Sequence, residues 1–161
     1  MTIGFILNGE DVTIRTEAEQ RLIDILRGSF SLFGAKSSCN MGCCGLCSVL
    51  FNGDVVKSCM IPALKVRGSE IITIEGFSLT DEYQDILHGF SEAGVSNCGY
   101  CDNGKILTVE ALLSKIPDPS PDEILKAFHG IKCRCTEPVS LIKGVEAIAN
   151  YRQERLHGRR S

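Results

Sequence analysis

Apolar residues change their spacing once along this chain of 161 residues, and the change divides it into two halves. In the first half, short apolar runs are broken by turn residues. "TIGFILN", the pair Asn8-Gly9 and "DVTIRT" read as strand, turn and strand. Thr16 and Glu19 have the spacing of a capping box, and Leu22, Ile25, Leu26 and Phe30 then fall at helical intervals to give one apolar face, which reads as core. "CSVLF", the turn Asn52 to Asp54, "VVKS" and the β-rich "EIITIEGF" from Glu70 to Phe77 complete a helix beside a small sheet.

From Thr80 the period becomes helical. "TDEYQDILHGF" opens on an N-cap threonine followed by two acids that suit the helix dipole. "GKILTVEALLSKI" stops before Pro117, and "SPDEILKAFHG" has Ser120 as N-cap, Pro121 at the first helical position, Glu123 closing the box and Gly130 as stop. A last helix is predicted from Pro138, with Leu141, Ile142, Val145, Ile148 and Ala149 on one stripe. The fold class is therefore α+β. Residues 1–78 form one domain and residues 79–161 a helical one in which about four helices share a core.

Composition narrows the function. With 43% hydrophobic residues the chain can bury one good core or two small ones, and a formal net charge of -3 offers no basic face for nucleic acid. The basic tail from Arg152 to Arg160 reads as a solvated, frayed end without a function. The start, "MTIGFILNGEDV", lacks the basic and apolar regions of a secretory signal, and no apolar run approaches the roughly 20 residues needed to cross a bilayer. The expectation is a cytoplasmic protein without a membrane span. In that reducing compartment the nine cysteines are expected to ligate metal rather than pair as disulfides.

Five of the nine lie in "SSCNMGCCGLCSVLFNGDVVKSC". Cys39, Cys44, Cys47 and Cys59 have the C-x4-C-x2-C...C spacing of plant-type 2Fe-2S ferredoxins, and Gly42 and Gly45 supply the backbone freedom of a loop that must wrap a cluster. Zinc fits less well, because the loop has a single C-x2-C and no nearby histidine. Cys43 is the extra thiol, since using it gives C-x3-C-x3-C; it reads as a small side chain beside the loop, with a shadow ligand for a lost Cys44 as the alternative. The other four are Cys98 and Cys101 in "NCGYC" and Cys133 and Cys135 in "KCRC", with 31 residues between the pairs. They read as a second four-thiolate site, for which spacing alone leaves zinc and iron–sulfur both open.

Taken together, "GAKSSCNMGCCGLC...SC", "NCGYCDNGKI" and "HGIKCRCT" resemble the iron–sulfur subunit of the molybdenum hydroxylases, the xanthine dehydrogenase and aldehyde oxidase family. The resemblance runs over nearly the whole chain. It implies a plant-type ferredoxin-like (β-grasp) domain with one 2Fe-2S cluster on Cys39, Cys44, Cys47 and Cys59, followed by a four-helix-bundle domain with a second on Cys98, Cys101, Cys133 and Cys135. It also implies a large partner subunit with a molybdenum-pterin cofactor and an FAD-binding partner, hence a hetero-oligomer. Asn97 stands where the family has a glutamine that touches the pterin. Ser38, Asp102, Asn103, Glu137 and Pro138 are departures from the family pattern.

No dinucleotide loop, phosphate loop or nucleophile elbow is present, so this chain itself is expected to relay electrons rather than catalyse. By the resemblance, electrons leave the hydroxylation of an N-heterocycle or aldehyde, cross the helical-domain cluster and then the plant-type one, and reach FAD. Arg134 and Lys36 are candidate tuners of the cluster potentials, or else surface salt-bridge formers. His88, His129 and His157 do not form a Rieske pattern. Two rival classes are a stand-alone electron carrier and a redox- or iron-sensing module in which Cys43 responds.

Overall fold

The computed structural model describes residues 1–158. Strand β1 (Thr2–Leu7) buries Ile3, Phe5 and Leu7 and exposes the residues between them, as the two-residue period of a half-buried strand requires. Asn8 and Gly9 both take positive φ, 52° and 87°, and turn the chain into β2 (Glu10–Arg15), which pairs antiparallel with β1.

Helix α1 spans Leu22–Ser29 and buries Leu22, Ile23, Ile25 and Leu26, while Phe30 follows as its C-cap. The capping box is not formed. The N-cap is Arg21, and the Thr16 hydroxyl instead donates to Gln20 Oε1 at 2.6 Å. The reason is tertiary: Gln20 accepts from the Ala63 N–H, and Arg21 makes a β-bridge with Pro62, which hold residues 20 and 21 extended until Leu22.

Strands β3 (Ser48–Phe51) and β4 (Asp54–Lys57) form a hairpin, the short helix α2 (Ala63–Val66) follows, and β5 (Glu70–Ile72) inserts between β1 and β3. The sheet order is β2-β1-β5-β3-β4, with β1 and β5 parallel and the other pairs antiparallel. The β-rich reading of Glu70 to Phe77 holds only to Ile72. Asn8 stops the strand by accepting from the Thr73 N–H at 2.8 Å and donating to the Thr73 hydroxyl, and Ile74–Phe77 become the short helix α3.

Four helices complete the described chain. In α4 (Asp81–Glu92) the Thr80 side chain accepts from the Tyr83 N–H, and in α6 (Pro121–Phe128) Ser120 and Glu123 form a full capping box. Between them α5 (Asp102–Leu113) starts directly after Cys101, and α7 (Pro138–Gly158) runs to the end of the described residues. α7 overturns the reading of a frayed tail: Arg152 pairs with Glu110 at 2.6 Å, and Arg155 pairs with Glu82 at 2.9 Å and Asp85 at 3.1 Å. Arg159 and Arg160 lie outside the described residues.

Two large apolar cores form among the described residues, beside a small cluster of Ile23, Cys47 and Cys59. Ile3, Phe5, Leu26, Val49 and Ile71 share one beneath α1; Leu50, Ile74 and Phe77 join Phe90, Leu107, Ile124, Val145 and Ile148 in the other. Val49 and Leu50 thus point to opposite faces of β3, both covered, which is why that strand is apolar from Val49 to Phe51. Each such side chain contributes roughly 1.5–3 kcal/mol by leaving water. Among the described residues, no helix is long and apolar enough to cross a membrane.

Candidate metal centres

Two cysteine-bearing regions meet beside the sheet. The first is the loop between α1 and β3, closed by the residues after β4. Gly42 and Gly45 take positive φ of 77° and 81°, and the turns they make bring backbone N–H groups inward. The N–H groups of Met41, Cys44 and Cys43 point at Cys39, and that of Gly42 at Cys59. Cys39 and Cys44 share a side-chain hydrogen bond, as do Cys47 and Cys59.

The thiols of this set differ. Cys39 is lowered to about 6, first by the Met41 N–H and then by Cys44. Cys59 is buried, and burial, followed by its contact with Cys47, pushes it up to about 11. Cys43 is exposed and leans on Cys39, a contact that raises its own thiol. Lys57, half-buried behind the set, donates to the Ser48 hydroxyl at 3.2 Å; burial lowers its pKa against the opposing charges of Cys47, Cys44 and Cys59.

The second set gathers Cys98 and Cys101 from the entry to α5 with Cys133 and Cys135 from the link between α6 and α7. Cys101 contacts Cys133, and Cys98 contacts Cys135. Burial takes Cys101 up to about 12. Cys133 moves down: burial opposes this, but the N–H of Cys135 and the thiol of Cys101 outweigh it. Cys98 and Cys135 are exposed, as are Asn97 and Arg134.

Both sets therefore present four thiols as two touching pairs. That arrangement suits a two-iron cluster, in which each iron takes two thiolates, better than a lone zinc that needs four sulfurs about 2.3 Å from one point. Among the described residues, no three Cys, His, Asp or Glu side chains converge on a single-ion site.

The two loops also touch each other. The Lys132 N–H donates to the Cys44 carbonyl at 2.9 Å, and Cys44 lines a cavity of about 480 Å³ together with Cys98, Cys101, Cys133 and Cys135. A Cβ on Gly104 would stand 2.5 Å from the Gly45 carbonyl oxygen, and one on Gly45 would collide with the Gly130 carbonyl oxygen, so both glycines are needed for this approach. Lys36 reaches across to the carbonyls of Gly99 and Tyr100, the latter at 2.7 Å, and Asn103 donates to the Gly34 carbonyl at 3.1 Å. Lys36 and Asn103 are thus fasteners between the loops.

Sequence reasoning missed the pair Asp102 and Lys105. Asp102 accepts from the Gly99 N–H at 2.5 Å, and Lys105, only 1% exposed, donates to the Ser96 carbonyl at 2.5 Å and the Thr136 hydroxyl at 3.3 Å. The available signal was a lysine inside the apolar run "GKILTV", three residues after an aspartate. His88 stacks on Tyr151 with ring centroids 4.8 Å apart, and takes no part in either set.

Fold and thiols together define a protein built around two iron–sulfur sites. Residues 5–71 match the model of the 2Fe-2S iron-sulfur cluster binding domain, and residues 73–146 match that of the [2Fe-2S] binding domain. The chain is 43% identical over 155 residues to the nicotinate dehydrogenase small FeS subunit of Eubacterium barkeri, covering 96% of both chains. It is 38% identical to one subunit of a probable xanthine dehydrogenase of Bacillus subtilis, over 81% of this chain and 75% of that one. The solved quinoline 2-oxidoreductase of Pseudomonas putida 86 contains a chain that superposes with a TM-score of 0.84 at 31% identity, covering 96% of both. The chain belongs to the iron–sulfur subunits of the molybdenum hydroxylases, the xanthine dehydrogenase and aldehyde oxidase family, and is an electron-transfer subunit of an oxidoreductase.

Proposed function

We propose that this chain relays electrons from a molybdenum-pterin site on a large partner subunit to an FAD-binding subunit, while that complex hydroxylates an N-heterocycle. Cys39, Cys44, Cys47 and Cys59 hold one 2Fe-2S cluster and Cys98, Cys101, Cys133 and Cys135 the other. When bound, such clusters exchange one electron at a time, so two in one chain supply a relay. The observation that carries the reading is the hydrogen bond from Lys132 to the Cys44 carbonyl, which joins a backbone next to Cys133 to a residue of the first set.

The chain's own groups do the rest. N–H donors around Cys39, Cys59 and Cys133 stabilise thiolate charge, and buried surroundings at Cys47, Cys59 and Cys101 exclude water. Exposed Cys98 and Cys135, with Asn97 beside them, turn the second set outward toward the molybdenum-pterin partner. Exposed Met41 and Met60 beside the first set suit the contact with the FAD-binding partner. Residues 1–78 act as the β-grasp, plant-type unit and 79–161 as the four-helix unit, in keeping with the sheet order and with the four helices α4 to α7. An N-heterocyclic substrate, rather than an aldehyde, draws its support from the nicotinate and quinoline enzymes among the relatives.

The test is anaerobic purification from the native host, EPR of the dithionite-reduced sample, iron and molybdenum counts, and identification of whatever copurifies. Two distinct 2Fe-2S signals with a molybdenum-pterin partner are expected. A single signal, or a chain that purifies alone with both clusters, would overturn the reading in favour of a structural second metal or a free carrier.

A further inference from the structure

We infer that Lys105 is a positioning residue for the second cysteine set, a buried ammonium whose charge raises the reduction potential of the cluster held there, with Asp102 as its counter-charge. The inference rests on the reading that Cys98, Cys101, Cys133 and Cys135 hold a 2Fe-2S cluster.

Lysine is almost never fully buried unless paired. Here its side chain is 1% exposed, on a helix whose neighbouring residues Ile106, Leu107 and Val109 are buried and apolar. Filling that volume does not require a charge, since an uncharged chain of similar size would pack as well or better. The ammonium is instead directed at the cysteine loops. It donates to the carbonyl of Ser96, two residues before Cys98, and to the hydroxyl of Thr136, next to Cys135. It stands 3.1 Å from Asp102 Oδ1 as an ion pair, and 5.8 Å from the centre of the Phe90 ring. Asp102 follows Cys101 directly and takes the Gly99 N–H on its other oxygen.

A cluster that gains an electron becomes more negative, and a nearby cation favours that form while an anion opposes it. Burial keeps water and salt from screening the effect, which Arg134, though adjacent to two cysteines, lacks because it is exposed. Lys105 bridges both loops, whereas Asp102 accepts a hydrogen bond from Gly99 and meets Lys105 as an ion pair. The ammonium is therefore the charge that both halves of the site share.

The test is a redox titration of the full chain, with both clusters present, followed by EPR of the second-set signal in the parent and in Lys105→Met, Lys105→Arg and Asp102→Asn. Lys105→Met is expected to lower the reduced-to-oxidised ratio at fixed potential about tenfold, which for a one-electron couple is about 59 mV. Asp102→Asn is expected to move it the opposite way, and Lys105→Arg to stay near the parent. A purely structural staple would not reverse sign between the two neutralising variants. Intact clusters with unmoved potentials, or shifts of the same sign in both, would overturn the inference. If Lys105→Met does not retain the cluster, the upward shift in Asp102→Asn and the parent-like potential of Lys105→Arg decide it. A parent chain that lacks a second 2Fe-2S signal overturns the cluster reading itself, a result distinct from two normal signals whose potentials ignore Lys105.

Discussion

The backbone N–H of Lys132 donates to the carbonyl of Cys44 at 2.9 Å. Lys132 precedes Cys133 and Cys44 precedes Gly45, so main chain meets main chain between two cysteine loops some ninety residues apart in sequence, beside the side-chain bonds of Lys36 and Asn103. This bond itself uses no side chain, and its requirement falls on the glycines that let the backbones approach.

Gly104→Ala tests that requirement. The added methyl would stand 2.5 Å from the Gly45 carbonyl oxygen, and overpacking of this kind destabilises by about 1–3 kcal/mol. Gly28→Ala is the contrast: this exposed helical glycine has no atom within 4 Å of its would-be Cβ, and the change should stabilise by up to about 1 kcal/mol. Urea unfolding of both variants checks the pair, and equal effects would remove the role given to the junction.

The register of the first loop is read by Cys43→Ser and Cys44→Ser. Cys43 is exposed and leans on Cys39, whereas Cys44 pairs with Cys39 and its carbonyl is the acceptor at the junction. The first variant should keep all its iron and the second should lose one cluster's share, measured by iron analysis after anaerobic purification. Equal losses would mean that Cys43 is a ligand.

Arg152→Ala probes the last helix. Arg152 and Glu110 are 14% and 16% exposed and meet at 2.6 Å, so the change leaves a largely buried carboxylate without its cation, with the Ser114 hydroxyl donating to its other oxygen. A loss of about 1–3 kcal/mol is expected in urea unfolding. A neutral result would return the end of α7 to the status of a solvated tail.

The capping box carries a pH signature. The Ser120 N–H, and then its hydroxyl, hold the Glu123 carboxyl below its usual range. A folded pKa below the unfolded one stabilises at pH values above the ordinary carboxylate pKa, and that contribution disappears as pH falls through the lowered value. The urea midpoint of the parent should therefore exceed that of Glu123→Gln by a constant margin above about pH 5, with the margin closing in acid. A margin that widens in acid would reverse the assignment.

Much of the molecule is legible in one dimension because local rules dominate there. Thr80, Ser120 and Pro138 mark helix starts since each acts on a backbone within a few residues of itself. The same reasoning fails at Thr16, where Gln20 and Arg21 are held extended by Ala63 and Pro62, and at Thr73, where Asn8 ends a strand from 65 residues away. Local preference is worth a fraction of a kcal/mol per residue, and a tertiary hydrogen bond exceeds it.

By itself the sequence determined the two groups of cysteines, the loop glycines that a tight wrap needs, the α+β plan and the family. These follow from spacing and period, which chain connectivity preserves in any fold. Only the tertiary structure decided that Cys44 and Lys132 share a hydrogen bond, that Arg152 and Arg155 are paired, and that Lys105 is a buried charge between two cysteine loops. The effect of a charge depends on the dielectric and partners around it, and those are set by which surfaces the fold brings together.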